Sequence, residues 1–554
     1  MPEKIFIGVA WPYANGSLHL GQIAGAYLPP DIFARYHRVK GNRVLMVSGS
    51  DQHGTPITVR AAEEGVSPTE IASRFHEEFV DSWRRLGIAF DLYTTTGTAN
   101  HAAVVQDMFS RLLQNGDIYR EKMRLPYCTV EQRFLLDRYV IGVCPICGYP
   151  DARGDQCDNC GNVLDPNDLL DAHCRFDGSV PETRESEHFF LRLSAYNERL
   201  KAWLSEDKAH WRKNVLNFSL GVLQQGLRDR AITRDLEWGI KIPVEGFEDK
   251  RIYVWFENVI GYLSAAKEWA QRRGEPEAWR EFWQDPECKS YYFIGKDNIW
   301  FHTLSWPAML MMYGGLNLPY DVPANQYLNF GGGKASTSRG TAPFLPDYLA
   351  KYDPDPLRYY LTAIMPETAD SDFSEVALVR RNNDELLATW GNLVHRVVTF
   401  TYRRFDGKVP EPGYLDAESR ALLSRAETAL QEEGDHLAAC RFRAGLASAM
   451  SLAQDANRYL EEKSPWRRIK EDPLEAATAL HTAISVINTL KTAFYPYLPF
   501  TSERLHGYLG QEGDVTAAGW QVRAVEPGTP LREPEPLFKK LEPLVTEEEE
   551  APPA

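Results

Sequence analysis

The run Ile5-Phe6-Ile7-Gly8-Val9-Ala10 is apolar at every position. A strand with one wet face alternates apolar and polar residues. A strand that is apolar on both sides must be covered on both faces, as in a parallel sheet. A loop, Trp11 to Ser17, follows it, then a helical pattern from about Gly21 to Lys40 and a second apolar run, Val44 to Val47. Strand, loop, helix, strand in that order predicts a doubly wound parallel α/β layer. At 554 residues the chain exceeds what one core organises, so about three to four modules are expected.

The pattern changes along the chain. Residues 1–115 read as the first half of the α/β layer, and 116–235 as a turn-rich insertion. The α/β pattern resumes over 236–325, with Ile252-Tyr253-Val254-Trp255 and Tyr291-Tyr292-Phe293-Ile294. Residues 326–380 hold a Gly-rich loop and the stretch Tyr352-Asp353-Pro354-Asp355-Pro356. Residues 381–510 are helical in pattern and predict an all-α bundle. Residues 511–554 read as an extended wrap and an acidic tail ending in Glu547–Glu550.

Charge and apolar patterning exclude some partners. Lys plus Arg (61) against Asp plus Glu (77) gives −16, which disfavours membrane surfaces and bulk polyanions but leaves room for local basic patches. No apolar run approaches a bilayer span, and Met1-Pro2-Glu3-Lys4 lacks the regions of a signal peptide. Of eight cysteines, four lie between Cys144 and Cys160 as Cys144-x2-Cys147, nine residues, Cys157-x2-Cys160. Four thiolates at two tight turns fit tetrahedral Zn²⁺, and such a closed site is structural. Iron in a rubredoxin-like site and a pair of disulfides are the competing readings. The sparse cysteines elsewhere point to a cytoplasmic protein.

Two further constellations carry chemistry. Pro12-Tyr13-Ala14-Asn15-Gly16-Ser17-Leu18-His19-Leu20-Gly21-Gln22 sits where a parallel strand turns into a helix. Backbone N–H groups and the helix dipole favour a phosphate there. His19 and Gln22 share one face of the first turn. Gly21 leaves the backbone open to a nucleotide base. A helix start with an incidental His is the plain alternative. Gly331-Gly332-Gly333-Lys334-Ala335-Ser336-Thr337-Ser338-Arg339-Gly340 combines glycines, hydroxyls and cations in a way that suits a triphosphate, although it lacks Walker A spacing. A solvated loop has the same composition.

Taken together, these motifs resemble the HIGH and KMSKS signatures of the class I aminoacyl-tRNA synthetases. The resemblance reaches about residue 545 and is to the methionyl branch of that family. It is carried by Ala10-Trp11-Pro12-Tyr13-Ala14-Asn15-Gly16, Ser50-Asp51-Gln52-His53-Gly54-Thr55-Pro56, Val254-Trp255-Phe256-Glu257-Asn258-Val259-Ile260-Gly261-Tyr262 and Gly295-Lys296-Asp297-Asn298-Ile299-Trp300-Phe301-His302.

The resemblance implies a Rossmann-like fold with a zinc-knuckle insertion and an α-helical anticodon-binding domain. It implies activation of methionine with ATP and Mg²⁺, then transfer to tRNA(Met). By the same resemblance, ATP meets Tyr13, Asn15, Gly16, His19, Gly21, Gln22, Gly295, Asp297, Lys334, Ser336, Thr337 and Ser338. Catalysis falls to His19, Gln22, Lys334, Thr337 and Arg339. Methionine meets Ala10, Trp11, Tyr13, Asp51, Trp255, Tyr262 and His302. Asp51 is expected to hold the ammonium group, and the Tyr262 hydroxyl to reach the sulfur. A thioether suits such aromatic walls.

Without the resemblance, Trp255 and Tyr262 read as core and Asp51 as a turn residue. Asn392, Arg396 and Trp466 match the family's anticodon readers; an amide and a guanidinium four residues apart suit base edges, and a ring suits stacking. Read alone, Asn392 and Arg396 are a solvated face. Leu386, Trp390, Leu393, Val394 and Val397 form the apolar face of the same helix.

The chain departs from the family pattern in three places. Gln22 replaces the last His of the first signature, and Thr337 replaces the second Lys of the other. Asn258-Val259 stands where some members have Ala-Pro. A class I synthetase for another amino acid is one alternative, disfavoured by the small insertion and the aromatic pocket. A synthetase-like paralogue that binds without efficient charging is the other. Only about 40 residues follow the helical part, too few for a further dimerisation module, so a monomer is expected.

Overall fold

Ile5, Phe6, Ile7 and Val9 are fully buried, as a strand covered on both faces requires. The computed structural model describes residues 2–135, 139–154, 157, 159–160, 162, 164–330, 333–334 and 343–542. In it the strand Lys4–Val9 is central in a five-stranded parallel sheet. The order across the sheet is Ala324–Asn325, Lys289–Gly295, Lys4–Val9, Arg43–Ser50, Leu92–Thr95. Ile5 pairs with Val44 on one side and Lys289 on the other. The chain leaves the central strand in one direction and returns later on its other side, which opens a crevice at the strands' C-terminal ends.

Helix geometry follows local chemistry. His19 caps the helix that opens with Leu20–Gln22. Pro29 and Pro30 have no N–H to offer the carbonyls four residues back. A π turn, Ile23–Tyr27, precedes them, and the helix continues as Leu28–Val39. The helix Pro68–Leu86 opens on a reciprocal cap between Ser67 and Glu70, with Pro at its first position. The aromatic run 252–255 is strand only at Arg251–Ile252, and Val254 opens the helix Val254–Arg272. That helix is buried on nearly every side, so its apolar run serves a core helix rather than a strand.

The insertion is antiparallel. The strand Ile118–Cys128 pairs with Glu182–Leu191 from Ile118↔Leu191 to Tyr127↔Glu182. A smaller sheet of Ala152–Arg153, Val140–Val143 and Leu170–Cys174 carries the cysteine turns. After residue 375 the chain is helical, with Ala417–Ala438, Phe442–Lys463 and Pro473–Phe494 packed together. Asp416 and Asp472 cap the first and last of these. Leu386, Trp390, Leu393, Val394 and Val397 are buried, as the helical spacing predicts. The following segment wraps back: Trp520 donates to the Leu430 carbonyl, and Asn382 and Asn383 donate to the Lys539 and Leu541 carbonyls.

A buried charge cluster ties these parts together. Asp31, on Leu28–Val39, meets Arg35 at 2.9 Å and Arg358 at 2.7 Å. Arg358, on the helix Pro354–Ala363, also donates to the carbonyls of Leu86, Pro496 and Tyr497 at 3.3, 2.9 and 2.8 Å. The end of the long helix Pro473–Phe494 is thereby joined to the helix that starts beside the crevice. Among the described residues, no helix is long and apolar enough to cross a membrane.

Candidate active site

A cleft of about 1000 Å³ lies at the C-terminal ends of the central strands. Its walls include Trp11, Tyr13, His19, Gln22, Trp255, Tyr262, Asp297 and His302. The loop after Lys4–Val9 is laced to the end of Arg43–Ser50. Asp51 N donates to the Pro12 carbonyl at 2.8 Å, and Ala14 N donates to the Asp51 carbonyl at 2.9 Å. Two segments 37 residues apart therefore share one rim, with Tyr13 bridged to Asp51.

His19 and Gln22 form a closed pair. Gln22 N donates to His19 Nδ1 at 3.3 Å, and His19 N donates to Gln22 Oε1 at 3.0 Å. Glutamine at the third helical position suits this reciprocal cap, so the residue that departs from the family signature has a structural task. A Cβ on Gly21 would stand 2.9 Å from His19 Nδ1, and glycine lets the imidazole lie over the helix start. Asn15 holds Arg60 through its carbonyl at 2.6 Å, and Gly16 is buried beside it. Gly295 ends its strand, and Asp297 accepts a hydrogen bond from the Tyr327 hydroxyl.

The aromatic wall comes from two helices. Trp255 and Tyr262 are two turns apart on Val254–Arg272. Trp255 stacks on Phe301, with centroids 4.0 Å apart and planes at 7°, and meets Tyr13 edge-on at 6.4 Å. Pro307 lacks the N–H that would meet the Thr303 carbonyl, and the π turn Phe301–Ser305 precedes it. His302 lies in that turn, and its Nδ1 sits 2.9 Å from the Asn298 carbonyl. Burial holds its pKa down at about 4, so the ring is neutral. Nδ1–H then donates to that carbonyl, and Nε2 accepts from the Tyr262 hydroxyl at 2.7 Å. The hydroxyl proton expected to meet a substrate sulfur is thus directed at His302. The Trp11 ring lies between Gly49 and Gly261, where a Cβ would stand 2.3 and 2.8 Å from it. Ala10 is buried, and its N donates to the Phe293 carbonyl at 3.1 Å.

A buried polar cluster under this wall was not read from the sequence. Asp51 is fully buried; its Oδ1 accepts from His53 N at 3.1 Å and its Oδ2 from Asn258 Nδ2 at 2.7 Å. His53 Nδ1 lies 3.0 Å from both oxygens of Glu257, which is also fully buried. Burial, the largest single influence, raises the Glu257 carboxyl, but the charges and hydrogen bonds of His53 and His101 together outweigh it and leave the group below its usual range. Burial likewise lowers His53, and Glu257 outweighs it, leaving His53 raised. Burial, then the Glu257 charge, push Asp51 up to about 7. Only the segment around Asp51 hinted at this cluster, because its partners lie more than 200 residues away.

Elsewhere, the thiol sulfurs of Cys144, Cys147, Cys157 and Cys160 all lie within 4.8 Å of one another. Cys144–Cys160 and Cys147–Cys157 are 3.9 and 3.6 Å apart. Four sulfurs at about 2.3 Å from a tetrahedral Zn²⁺ would be roughly 3.8 Å apart, so the donor set and spacing are compatible with structural zinc. Asn159 and Asn162 donate to Cys147 and Cys160 at 3.6 and 3.2 Å, which suits thiolates. A second group, Cys128, Cys174 and Asp177, satisfies itself in part through a Cys128–Asp177 hydrogen bond of 3.0 Å. In the helical part, the Arg396 guanidinium lies 4.3 Å from the Trp466 ring centroid. Asn392 is exposed one turn earlier on the same helix. Ser336, Thr337, Ser338 and Arg339 lie outside the described residues; Lys334 is described only in backbone, paired with Asn329.

The model of the class I tRNA synthetase family (M) matches residues 5–398, and that of the anticodon binding domain of methionyl tRNA ligase matches 409–551. A methionine–tRNA ligase of Thermomicrobium roseum is 53% identical over 576 residues, covering 99% of this chain and 98% of the relative. One of Dehalococcoides mccartyi is 56% identical over 551 residues, covering 100% and 99%. The crystal structure of Mycobacterium tuberculosis methionyl-tRNA synthetase bound by methionyl-adenylate is similar with a TM-score of 0.81 at 26% identity, over 97% of this chain and 100% of that one.

Proposed function

The chain belongs to the methionyl branch of the class I tRNA synthetases, and we propose that the cleft at its strand ends is where methionine meets ATP. The protein is a methionine–tRNA ligase. It activates methionine to methionyl-adenylate and transfers the aminoacyl group to the 2′-hydroxyl of the terminal adenosine of tRNA(Met). Relatives at 53% and 56% identity carry the ligase name, which leaves a non-charging paralogue without support.

One observation carries the site assignment: a buried carboxylate, Asp51, is held at 2.7 Å by Asn258, which lines the same cleft as the aromatic wall of Trp255, Tyr262 and His302. An ammonium at Asp51 and a thioether against the rings would leave the substrate carboxylate facing the helix start at His19. That carboxylate attacks the α-phosphate of ATP; its oxygen forms the new P–O bond, and pyrophosphate leaves with the electrons of the broken one. The substrate is its own nucleophile, so the protein contributes position and charge. We assign His19 and Gln22 to triphosphate oxygens: their reciprocal cap uses His19 Nδ1 and Gln22 Oε1 as acceptors, so donation to a phosphate falls to His19 Nε2 and Gln22 Nε2 and the cap can stay closed. Lys334, Thr337 and Arg339 are assigned to the β- and γ-phosphates on their chemistry, with Gly295 and Asp297 beside the nucleoside.

Mg²⁺ would accompany ATP and neutralise phosphate charge. Cys144, Cys147, Cys157 and Cys160 would hold one Zn²⁺, which cross-links the insertion. Asn392, Arg396 and Trp466 are assigned to the anticodon, the ring for stacking and the amide and guanidinium for base edges. The helical part, about 381–510, would then be the anticodon-binding domain. A cytoplasmic monomer completes the reading. The test is amino-acid-dependent ATP–pyrophosphate exchange by zinc-replete protein without tRNA. Exchange with methionine alone is expected; exchange favouring another amino acid would overturn the pocket assignment.

A further inference from the structure

Asp51 sits between a carboxylate, Glu257, that opposes its charge and donors from His53 and Asn258 that favour it. It is fully buried, and the titratable groups facing it come from three other directions. His53 is two residues on in its own turn, and Glu257 is on the helix Val254–Arg272. His101, on the helix Ala99–Gln114, lies behind Glu257 at 3.7 Å, and Tyr13 bridges to Asp51 across the strand ends. Glu257 and His53 compensate each other at 3.0 Å, and burial keeps His101 neutral. Asp51 therefore holds the unbalanced charge of the cluster. Its two oxygens are each steadied by one donor: the His53 backbone N–H on Oδ1 and the Asn258 amide on Oδ2. Any residue supplies the first. Only the side chain at 258 supplies the second, at 2.7 Å and nearly buried.

We propose that Asn258 is a positioning residue for the amino acid: its amide orients the Asp51 carboxylate and keeps it available to the substrate's ammonium group. The inference rests on the assignment of Asp51 to that ammonium. A hydrogen bond donated to a carboxylate favours the ionised form, and burial beside a second carboxylate favours the protonated one. With the carboxyl raised to about 7, a proton and the ammonium compete for the same oxygens near neutral pH. Methionine binding therefore expels a proton from part of the population. Loss of the Asn258 donor strengthens the proton's hold and weakens that of the ammonium.

The test is calorimetric titration of the full-length protein with methionine at pH 7.0 and 8.5, each in two buffers of different ionisation enthalpy. The chains are wild type, Asn258→Ala, Asn258→Asp and Asp51→Asn. Wild type is expected to release about half a proton at pH 7.0. A rise of about one unit in the Asp51 carboxyl would cut its ionised fraction at pH 7.0 from about a half to about a tenth. Asn258→Ala then raises the methionine Kd about fivefold at pH 7.0 and less than about 1.5-fold at pH 8.5, with more protons released at the lower pH. Asn258→Asp keeps the shape but turns the donor into an acceptor, and its deficit is larger with the same direction in pH. A deficit equal at both pH values with unchanged proton release, or no deficit at all, would overturn the role of Asn258. Wild-type methionine affinity in Asp51→Asn would overturn the ammonium assignment instead.

Discussion

Replacing Arg358 with methionine tests how the site's scaffold is held. Arg358 has no solvent exposure and makes four hydrogen bonds, one of them to the fully buried Asp31 at 2.7 Å. Removing one member of a buried ion pair costs about 3–5 kcal/mol, because the other charge is left without its partner. Here Asp31 keeps Arg35 at 2.9 Å and the Ala89 N–H at 2.8 Å, which argues for the lower end. The carbonyls of Leu86, Pro496 and Tyr497 lose this donor, and each loss adds about 1 kcal/mol where water cannot enter. The expected destabilisation is therefore about 3–6 kcal/mol.

The assay is urea unfolding at pH 7.5, followed by circular dichroism and tryptophan fluorescence, read on the first cooperative transition. Adding Asp31→Asn to Arg358→Met removes the stranded charge and should recover at least about 1 kcal/mol relative to additivity. A loss under about 1 kcal/mol in Arg358→Met, or strict additivity in the pair, would refute the view that this cluster fastens the C-terminal helices to the helix that begins at the cleft.

Tyr262→Phe leaves His302 Nε2 as a buried acceptor without its donor; at about 1–3 kcal/mol, methionine KM in pyrophosphate exchange should rise roughly tenfold while ATP KM stays put. An equal rise in ATP KM would count against the pocket. Trp466→Ala removes the ring under Arg396; with stacking worth about 1–3 kcal/mol, tRNA aminoacylation efficiency should fall at least about fivefold with exchange unchanged. A parallel fall in exchange would show damage to the fold instead. Cys147→Ser should abolish bound zinc, measured as metal per chain, and make the insertion sensitive to protease; full zinc retention would refute a four-thiolate site.

Legibility in the sequence followed chain distance. His19 and Gln22 are three residues apart, so a single helical turn makes them neighbours. Their reciprocal cap is a local consequence, although the sequence suggested phosphate binding rather than capping. The cysteine pairs were legible for the same reason: each turn is built by its own few residues. The α/β pattern at 252–255 located a covered element but not its type: only Ile252 is in a strand and Val254 opens a helix, because β-rich composition does not distinguish a covered strand from a helix buried on all sides.

By itself the sequence determined the elements whose signal lies within a few residues: the central strand, the capped helix at the cleft, the cysteine turns and the apolar face beneath Asn392 and Arg396. These follow from periodicity and local hydrogen bonding, which act over a few residues. Only the tertiary structure decided the chemistry of Asp51. Its partner Asn258 is 207 residues away, and Glu257 is 204 residues from His53. No spacing rule links such positions. They meet because the sheet returns on itself and presses the helix Val254–Arg272 beneath the ends of the strands. There burial removes water and makes each remaining donor and charge decisive.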